Sequence, residues 1–307
     1  MCCLFGILDY GHKLSRKEKT KILSILSVAC EERGTDATGI AYNTGSSLKV
    51  YKRPMPAHLL WFRIFEDTNV VMGHTRMTTQ GSERYNGNNH PFSGQAGTTS
   101  FALAHNGVLN NDKRLRRQHD LPATKIETDS YIAVQLLEAA GEISFQSLAD
   151  MAEKLEGSFT MTMLTDDDTL YVVRGDNPFT LFHFEKLGFY IYASTEPILK
   201  SALKQLNMKL GKPTKIKVDC GEILKIDADG RMSRSQFDNS KIFLGYSHWP
   251  RYYGRPAVWE PVADSQASYI EDLKSVAAYY GIWPEDIDEM LADGVTPEEI
   301  EELLNGA

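Results

Sequence analysis

This 307-residue chain contains neither a long apolar run nor a CxxC pair of cysteines. No run approaches the roughly 20 apolar residues that a membrane-spanning helix needs, and no basic segment precedes the first apolar residues, as it would in a signal peptide. We therefore expect a cytoplasmic protein that does not bind membranes. The four cysteines form no CxxC pair, which argues against a disulfide framework, and Cys30 and Cys220 are expected to be small buried residues.

The sequence also lacks a Gly-rich phosphate-binding loop, an internal repeat and a metal-ligand pattern. His74, His90 and His105 are not spaced as HxH or HxxxH, so we interpret them as hydrogen-bonded structural histidines. No cofactor and no metal are therefore expected.

Basic residues are almost missing from the C-terminal segment. Residues 264–307 contain twelve acidic residues and one basic residue, for a net charge of −11, whereas the other 263 residues contain 32 basic and 29 acidic ones. Such a segment repels nucleic acid, and the change in charge indicates a domain boundary. We therefore expect no nucleic-acid partner.

Apolar runs of strand length dominate the chain before this boundary, and turns rich in Asn, Asp and Gly separate them. Ser15, with Glu18 three residues later, predicts the start of a helix that continues to about Glu32. Further helical periodicity occurs at residues 129–140, 147–155 and 196–206. Because strands and helices do not alternate strictly, an α+β fold with stacked antiparallel sheets and flanking helices fits best.

Three parts are expected along the chain. They are a globular domain of residues 1–237, an aromatic and Pro-rich connector of residues 238–263, and an acidic appendage of residues 264–307. An apolar stripe from Ile270 to Tyr280 predicts the first helix of the appendage.

Two prolines in the appendage suit the first positions of two further short helices. These are Pro284 and Pro297, with Thr296 as an N-cap and Gly306 as a stop. The pattern predicts a small three-helix bundle, which is either a docking module or a solvated tail.

Six short motifs follow one another in a particular order and spacing. They are CCLFGI from Cys2, RGTDATG from Arg33, GHTRMTTQG from Gly73, NNHPF from Asn88, HNG from His105 and ETDS from Glu127. Each motif alone is weak, because short combinations of this kind arise by chance, but their joint order is specific.

This order resembles the class II glutamine amidotransferases, the amide-hydrolysing branch of the N-terminal-nucleophile hydrolases. The similarity covers roughly residues 2–230 and is greatest to the glutaminase domain of glucosamine-6-phosphate synthase. The resemblance implies a four-layer αββα sandwich. It also implies that a free amino-terminal cysteine attacks the side-chain amide of glutamine and forms a thioester.

Cys2 suits this chemistry by its own properties. Once Met1 is removed, Cys2 carries a thiol and an α-amine, whose ordinary pKa values are about 8.5 and about 7.7–8. The amine can therefore accept the thiol proton near neutral pH, directly or through water, and later return it to ammonia. The alternative is a buried cysteine without a catalytic role.

The resemblance also implies roles for five other residues. Asn106 and Gly107 would donate N–H groups to the oxyanion of the tetrahedral intermediate. Arg76 would bind the α-carboxylate of glutamine with its planar fork, supported by the hydroxyl of Thr79. Asp129 would pair with the α-ammonium group. The alternatives are a structural ion pair for Arg76 and a helix N-cap for Asp129.

Three further residues are expected to support the site, and two residues differ from the family pattern. Arg33 resembles an arginine that supports the strand of the nucleophile, and His74 and His90 are also expected to support the site. Cys3 replaces a usual glycine and adds a second thiol, whereas Met77 replaces a tryptophan that helps to cover the ammonia exit in relatives.

No acceptor site is recognisable after the similar region. We therefore expect a glutaminase that passes ammonia to a separate acceptor or synthase protein. Two alternatives remain at the sequence level, namely a hydrolase of another γ-glutamyl amide and a non-catalytic regulatory module that kept the fold.

Overall fold

The computed structural model describes residues 2–45, 47–242, 284–297 and 299–300, together with residues 270 and 274. The chain divides into two compact units, Met1–Arg251 and Tyr252–Ala307. Among the described residues, no helix has both the length and the apolar character needed to cross a membrane.

Strands supply most of the first unit. They are β1 Cys3–Asp9, β2 Ala37–Thr44, β3 Ser47–Arg53, β4 Val70–Arg76, β5 Phe92–Ala96, β6 Thr99–Leu109, β7 Gly157–Thr165, β8 Leu170–Arg174, β9 Thr180–Phe184, β10 Phe189–Ala193, β11 Thr214–Ile216, β12 Glu222–Ile226 and β13 Met232–Gln236. The helices are α1 Arg16–Ala29, α2 Asp112–Gln118, α3 Tyr131–Ala140, α4 Phe145–Lys154, α5 Glu196–Leu206 and, in the second unit, α6 Pro284–Ala292.

The strands form two antiparallel sheets. The seven-stranded sheet has the order β11-β9-β10-β1-β4-β2-β3, and the six-stranded sheet has the order β13-β12-β8-β7-β6-β5. Every pairing between neighbouring strands is antiparallel. The expected α+β class with antiparallel sheets is therefore confirmed.

Strand β1 shows why its sequence is apolar without alternation. Leu4 and Leu8 pack in a core shared by both sheets, whereas Phe5 and Ile7 pack in a second core with residues of α1 and α5. Successive side chains of a strand point to opposite faces, so a strand that is covered on both faces needs apolar residues throughout. A third core lies between the six-stranded sheet and helices α2, α3 and α4.

The predicted start of the first helix is confirmed. The Glu18 amide donates to Ser15 Oγ at 3.3 Å, and the Ser15 amide donates to Glu18 Oε2 at 2.9 Å, which forms a capping box. The α-helix ends at Ala29, and a 3₁₀ turn over Cys30–Arg33 follows it. The helix predicted from Ser15 to about Glu32 therefore ends as an α-helix three residues earlier, at Ala29.

One prediction about the cysteines is wrong. Cys30 is buried as expected, but Cys220 is exposed. It lies in the turn before β12, next to Gly221, whose φ of +86° belongs to a tight turn rather than to the core. Asn239 Nδ2 donates to Cys220 Sγ at 3.4 Å.

The second unit has a small apolar core of its own. Ile287 and Ile300 are buried there. Helix α6 begins at Pro284 as predicted, and Thr296 caps the next turn, because the Glu299 amide donates to its Oγ1 at 3.3 Å. Most of the predicted stripe over 270–280, all but residues 270 and 274, lies outside the described residues, as do most of the connector and the stop at residue 306.

Candidate active site

The β-ladder places Cys2 beside Arg76. Cys3 lies opposite Thr75 in the antiparallel pairing of β1 with β4, so the residue before Cys3 comes level with the residue after Thr75. A small cavity of about 10 Å³, room for roughly one water molecule, lies at this edge. Five stretches of the chain line it. They contribute Cys2, then Arg76, Met77, Thr79 and Gln80, then His90, then His105 and Gly107, and finally Thr128, Asp129 and Ser130.

The two vicinal cysteines have different surroundings. The Cys2 thiol lines the cavity and donates to the Met77 carbonyl at 3.5 Å, whereas Cys3 is fully buried in the core beneath α1. Burial raises the pKa of the Cys2 thiol, so the thiol stays protonated near neutral pH and needs a base. Arg33 Nε donates to the Cys2 carbonyl at 2.9 Å and holds the backbone beside the thiol.

The Arg76 guanidinium holds the loop that follows β4. Nη1 donates to Asn89 Oδ1 at 2.7 Å, and Nη2 donates to the carbonyls of Gln80 at 2.6 Å and Gly81 at 2.8 Å. The Thr78 amide donates to Asp36 Oδ2 at 2.6 Å, which fixes the same loop from its other side. Both terminal nitrogens of the Arg76 guanidinium therefore bind the chain itself.

Asn106 and Gly107 lie near the C-terminal end of β6. Asn106 Nδ2 is buried and has no hydrogen-bond partner within the described residues. Gly107 has a φ of +143°, and a Cβ there would lie 1.9 Å from the Ser158 carbonyl oxygen, so only glycine fits. An unpaired buried amide is costly unless a ligand takes its hydrogen bond.

Asp129 contacts β6 rather than the helix that follows it. Its Oδ2 accepts from the Leu109 amide at 2.6 Å, and its Oδ1 accepts from the Ser130 hydroxyl at 3.3 Å. Helix α3 has no side-chain cap, so the alternative that Asp129 caps this helix is wrong.

Residues 74–201 match the protein family described as the glutamine amidotransferase domain. The chain carries a glutamine amidotransferase domain. It is 30% identical over 203 residues to glutamine–fructose-6-phosphate aminotransferase (isomerizing) of Staphylococcus epidermidis, with 63% of this chain and 32% of the relative covered. For the protein of the same description in Staphylococcus aureus, identity is 28% over 293 residues, with 89% and 46% covered. The chain thus spans a third to a half of these relatives.

Two solved structures share the fold of the amidotransferase domain. Glutamine phosphoribosylpyrophosphate amidotransferase from B. subtilis, complexed with ADP and GMP, superposes with a TM-score of 0.60 at 21% identity over 90% of this chain and 58% of its own. The structure described as the allosteric regulatory enzyme of purine biosynthesis gives 0.62 at 20% identity over 91% and 58%.

His74, His90 and His105 form one buried group. The His74 and His90 ring centroids are 4.3 Å apart, and those of His90 and His105 are 6.5 Å apart. His74 Nε2 lies 3.0 Å from the His105 carbonyl oxygen, and His105 Nδ1 lies 2.8 Å from Ser130 Oγ. Burial lowers the pKa of His74 to about 3 and lowers those of His90 and His105 as well, so all three rings are neutral.

His90 contradicts the expectation of fully hydrogen-bonded histidines. Neither of its ring nitrogens has a partner within the described residues. The ring packs edge-on against Phe92 at 4.4 Å between centroids, and it also lies against His74, so aromatic contact holds it where hydrogen bonds were expected.

Lys52 is a residue of the site region that the sequence does not reveal. It lies in β3, whose alternating charges predict a solvated strand, yet its Nζ donates to the Asn89 carbonyl at 2.5 Å and to the Pro91 carbonyl at 3.0 Å. Burial, reinforced by the charge of Arg76, lowers the pKa of Lys52 to about 8. Lys52 thereby holds the segment that carries His90.

Proposed function

We propose that this chain hydrolyses the side-chain amide of glutamine to glutamate and ammonia, with Cys2 as the nucleophile. The observation that carries the proposal is the meeting of a thiol, an arginine and a carboxylate around one cavity, at Cys2, Arg76 and Asp129. Asn106, whose buried amide has no partner among the described residues, lies in sequence between His105 and Gly107, which both line the cavity. The glutamine amidotransferase domain assignment supports the same chemistry.

In the proposed mechanism, Met1 is removed and the freed α-amine of Cys2 takes the thiol proton. The Cys2 sulfur then attacks the carboxamide carbon, and the oxyanion accepts hydrogen bonds from Asn106 Nδ2 and the Gly107 amide. Collapse of this intermediate breaks the C–N bond, and the amine returns its proton to the departing ammonia. Water attacks the remaining thioester and releases glutamate.

Substrate recognition is assigned to three residues. Arg76 binds the α-carboxylate, Thr79 supports that contact, and Asp129 pairs with the α-ammonium group. Because Arg76 Nη2 donates to two loop carbonyls, part of its bonding is exchanged for the carboxylate when glutamine binds. Asp129 keeps its orientation through the Leu109 amide.

We also propose that the first unit is the four-layer αββα sandwich of the N-terminal-nucleophile hydrolases. The three apolar cores support this layering, since one lies between the two sheets and the others lie beneath the helices on either side. In this proposal residues 1–237 form the catalytic domain of a cytoplasmic protein, residues 238–263 form a connector, and residues 264–307 form an acidic appendage of three helices.

The acceptor of the ammonia is proposed to be a separate partner protein that docks on the acidic appendage. Residues 264–307 carry a net charge of −11, from twelve acidic and one basic residue, which favours a basic surface on the partner. Purification of the native protein with mass spectrometry of its partners tests this part.

Glutamine hydrolysis by variants at the two vicinal cysteines tests the chemistry. Cys2→Ala should abolish ammonia release, whereas Cys3→Ser should retain activity because Cys3 faces the core beneath α1. A glutamine-mimicking electrophile should label Cys2 alone, and intact mass should show that active protein lacks Met1. Label on Cys3, or full activity with Met1 retained, would refute the mechanism.

A further inference from the structure

Residues 59–65, here called the Trp61 segment, alternate between core and solvent. Leu60, Phe62 and Ile64 are buried. The residues between them are exposed: Leu59 by 61%, Trp61 by 91%, Phe65 by 40% and Arg63 as well. This period of two is typical of a strand with one face on a core. Its outer face is nonetheless mostly apolar.

The backbone of the Trp61 segment is hydrogen-bonded only near its two ends within the described residues. At its ends the Leu60 amide donates to the Ala57 carbonyl at 2.9 Å, and the Thr68 amide donates to the Phe65 carbonyl at 3.3 Å. Between these points, within the described residues, the backbone groups of residues 61–64 make no hydrogen bond. An extended segment with free N–H and C=O groups is an open edge to which another strand can add.

Two cavities flank the indole of Trp61 and share it. The cavity on the α1 side measures about 650 Å³, and its charged lining residues are Arg16, Lys17, Lys21 and Arg63. The cavity on the β2–β3 side measures about 340 Å³, and aromatic residues line most of it: Tyr42, Tyr51, Trp61 and Phe65, with Ile40 and Arg63. Among the residues that the structure describes, no acidic residue lines either cavity.

Three acidic residues lie close in sequence to the residues that line the cavities. Glu18 caps α1 through Ser15, Asp67 accepts from the Gly45 amide at 2.6 Å, and Glu66 is exposed. None of the three is among the lining residues, which combine aromatic rings with cations.

We propose that the Trp61 segment is a docking surface for a partner protein, which binds as an extended acidic strand. The partner's backbone pairs with residues 61–64, and its apolar side chains cover Trp61 and Phe65. Its carboxylates face Arg16, Lys17 and Arg63. Trp and Arg are the residues that dominate binding energy at interfaces, and charge complementarity selects an acidic strand over a basic one. This surface is independent of the proposed chemistry at Cys2.

A labelled peptide that alternates Glu with Leu or Phe over eight positions tests the proposal with the full chain. Fluorescence anisotropy should detect its binding, whereas a peptide with Lys in place of every Glu should not bind. Trp61→Ala and Arg63→Glu should each weaken binding at least about tenfold. The matched controls are Tyr85→Ala, at another exposed aromatic ring, and Lys49→Glu, at an exposed lysine of β3; both should bind like the wild type.

Amide hydrogen exchange distinguishes backbone pairing of the peptide with residues 61–64 from binding through side chains alone. The peptide should protect the amides of residues 61–64, and unchanged exchange there would overturn the proposal. Equal binding of the Lys peptide, or unaltered binding by Trp61→Ala, would overturn it too. Because the indole is exposed, Trp61→Ala should keep the unfolding midpoint of the wild type. Self-association of the wild type that Trp61→Ala abolishes would instead make a second copy the occupant.

Discussion

In the proposed reaction, Asn106 affects the rate because its side-chain amide donates a hydrogen bond to the oxyanion. Its buried amide has no hydrogen-bond partner among the described residues, so in the proposed reaction it is available to the oxyanion. Asn106→Ala should lower kcat by roughly 10²–10³ with little change in KM. Steady-state kinetics measure this, and Asn110→Ala, at an exposed asparagine after β6, serves as the control.

Arg76 is proposed to bind the substrate carboxylate, and it also holds the loop after β4. Arg76→Lys should therefore differ from Asn106→Ala in its effects. The ammonium of a lysine cannot serve Asn89, Gln80 and Gly81 at once as the planar fork does. Arg76→Lys should therefore chiefly raise KM and lower the unfolding midpoint. Equal effects of Arg76→Lys and Asn106→Ala on both kinetic constants would show that the division of roles is wrong.

Lys52 predicts a dependence of stability on alkaline pH. Its folded pKa of about 8 lies below its ordinary value of 10.5, so between these values the unfolded chain binds a proton that the folded chain does not. The free energy of unfolding should therefore rise with pH in this window, by up to roughly 1.4 kcal/mol per pH unit. Chemical denaturation of the wild type and of Lys52→Met measures the difference, which Lys49→Met should not show.

At the scale of elements, the cap of α1 makes a prediction of its own. Ser15→Ala should cost about 1 kcal/mol of stability near neutral pH. Hydrogen bonds from Ser15 hold the pKa of Glu18 below its ordinary value, so this carboxylate stabilises the fold above that value and loses its effect as pH falls through the lower folded pKa. The cost should therefore shrink as pH falls below the ordinary pKa of Glu18. Thr20→Ala, which removes another hydroxyl from α1, is the control for denaturation measurements.

Elements with strong local patterns were predictable from sequence. The capping box fixed the start of α1, and helix α5 has the predicted range because Thr195 and Pro197 define its start. Strand β5 and helix α2 were not predicted. The sequence of β5 is polar and contains glycine, and α2 buries only Leu115 among its apolar positions, so neither has a clear period.

At the scale of the whole molecule, the proposed catalytic residues all belong to the first unit, Met1–Arg251. Deleting residues 264–307 should therefore leave glutamine hydrolysis intact and abolish partner capture. Partner capture by the full chain should weaken as salt is added, because the Debye screening length falls to about 8 Å at physiological ionic strength. Loss of hydrolysis on deletion would assign the second unit to the catalytic core, and unchanged capture would reduce it to a solvated tail.

The candidate site was predictable where a motif carries several functional groups close together in sequence. The HNG and ETDS motifs lead to Asn106, Gly107 and Asp129, and the structure brings their segments to one cavity. The contacts of Lys52 and the unpaired ring of His90 depend on the packing of distant strands. No local pattern encodes that packing, so these features required the structure.

The cavity beside Cys2, at about 10 Å³, is far smaller than the substrate proposed for it. In the proposed reaction we expect glutamine to reach the thiol by displacing the loop of residues 77–81 from Arg76, whose guanidinium binds two carbonyls of this loop. Such loop motions typically take microseconds to milliseconds. In the proposed reaction this opening precedes any bond change, so the rate of loop opening sets the upper limit of turnover.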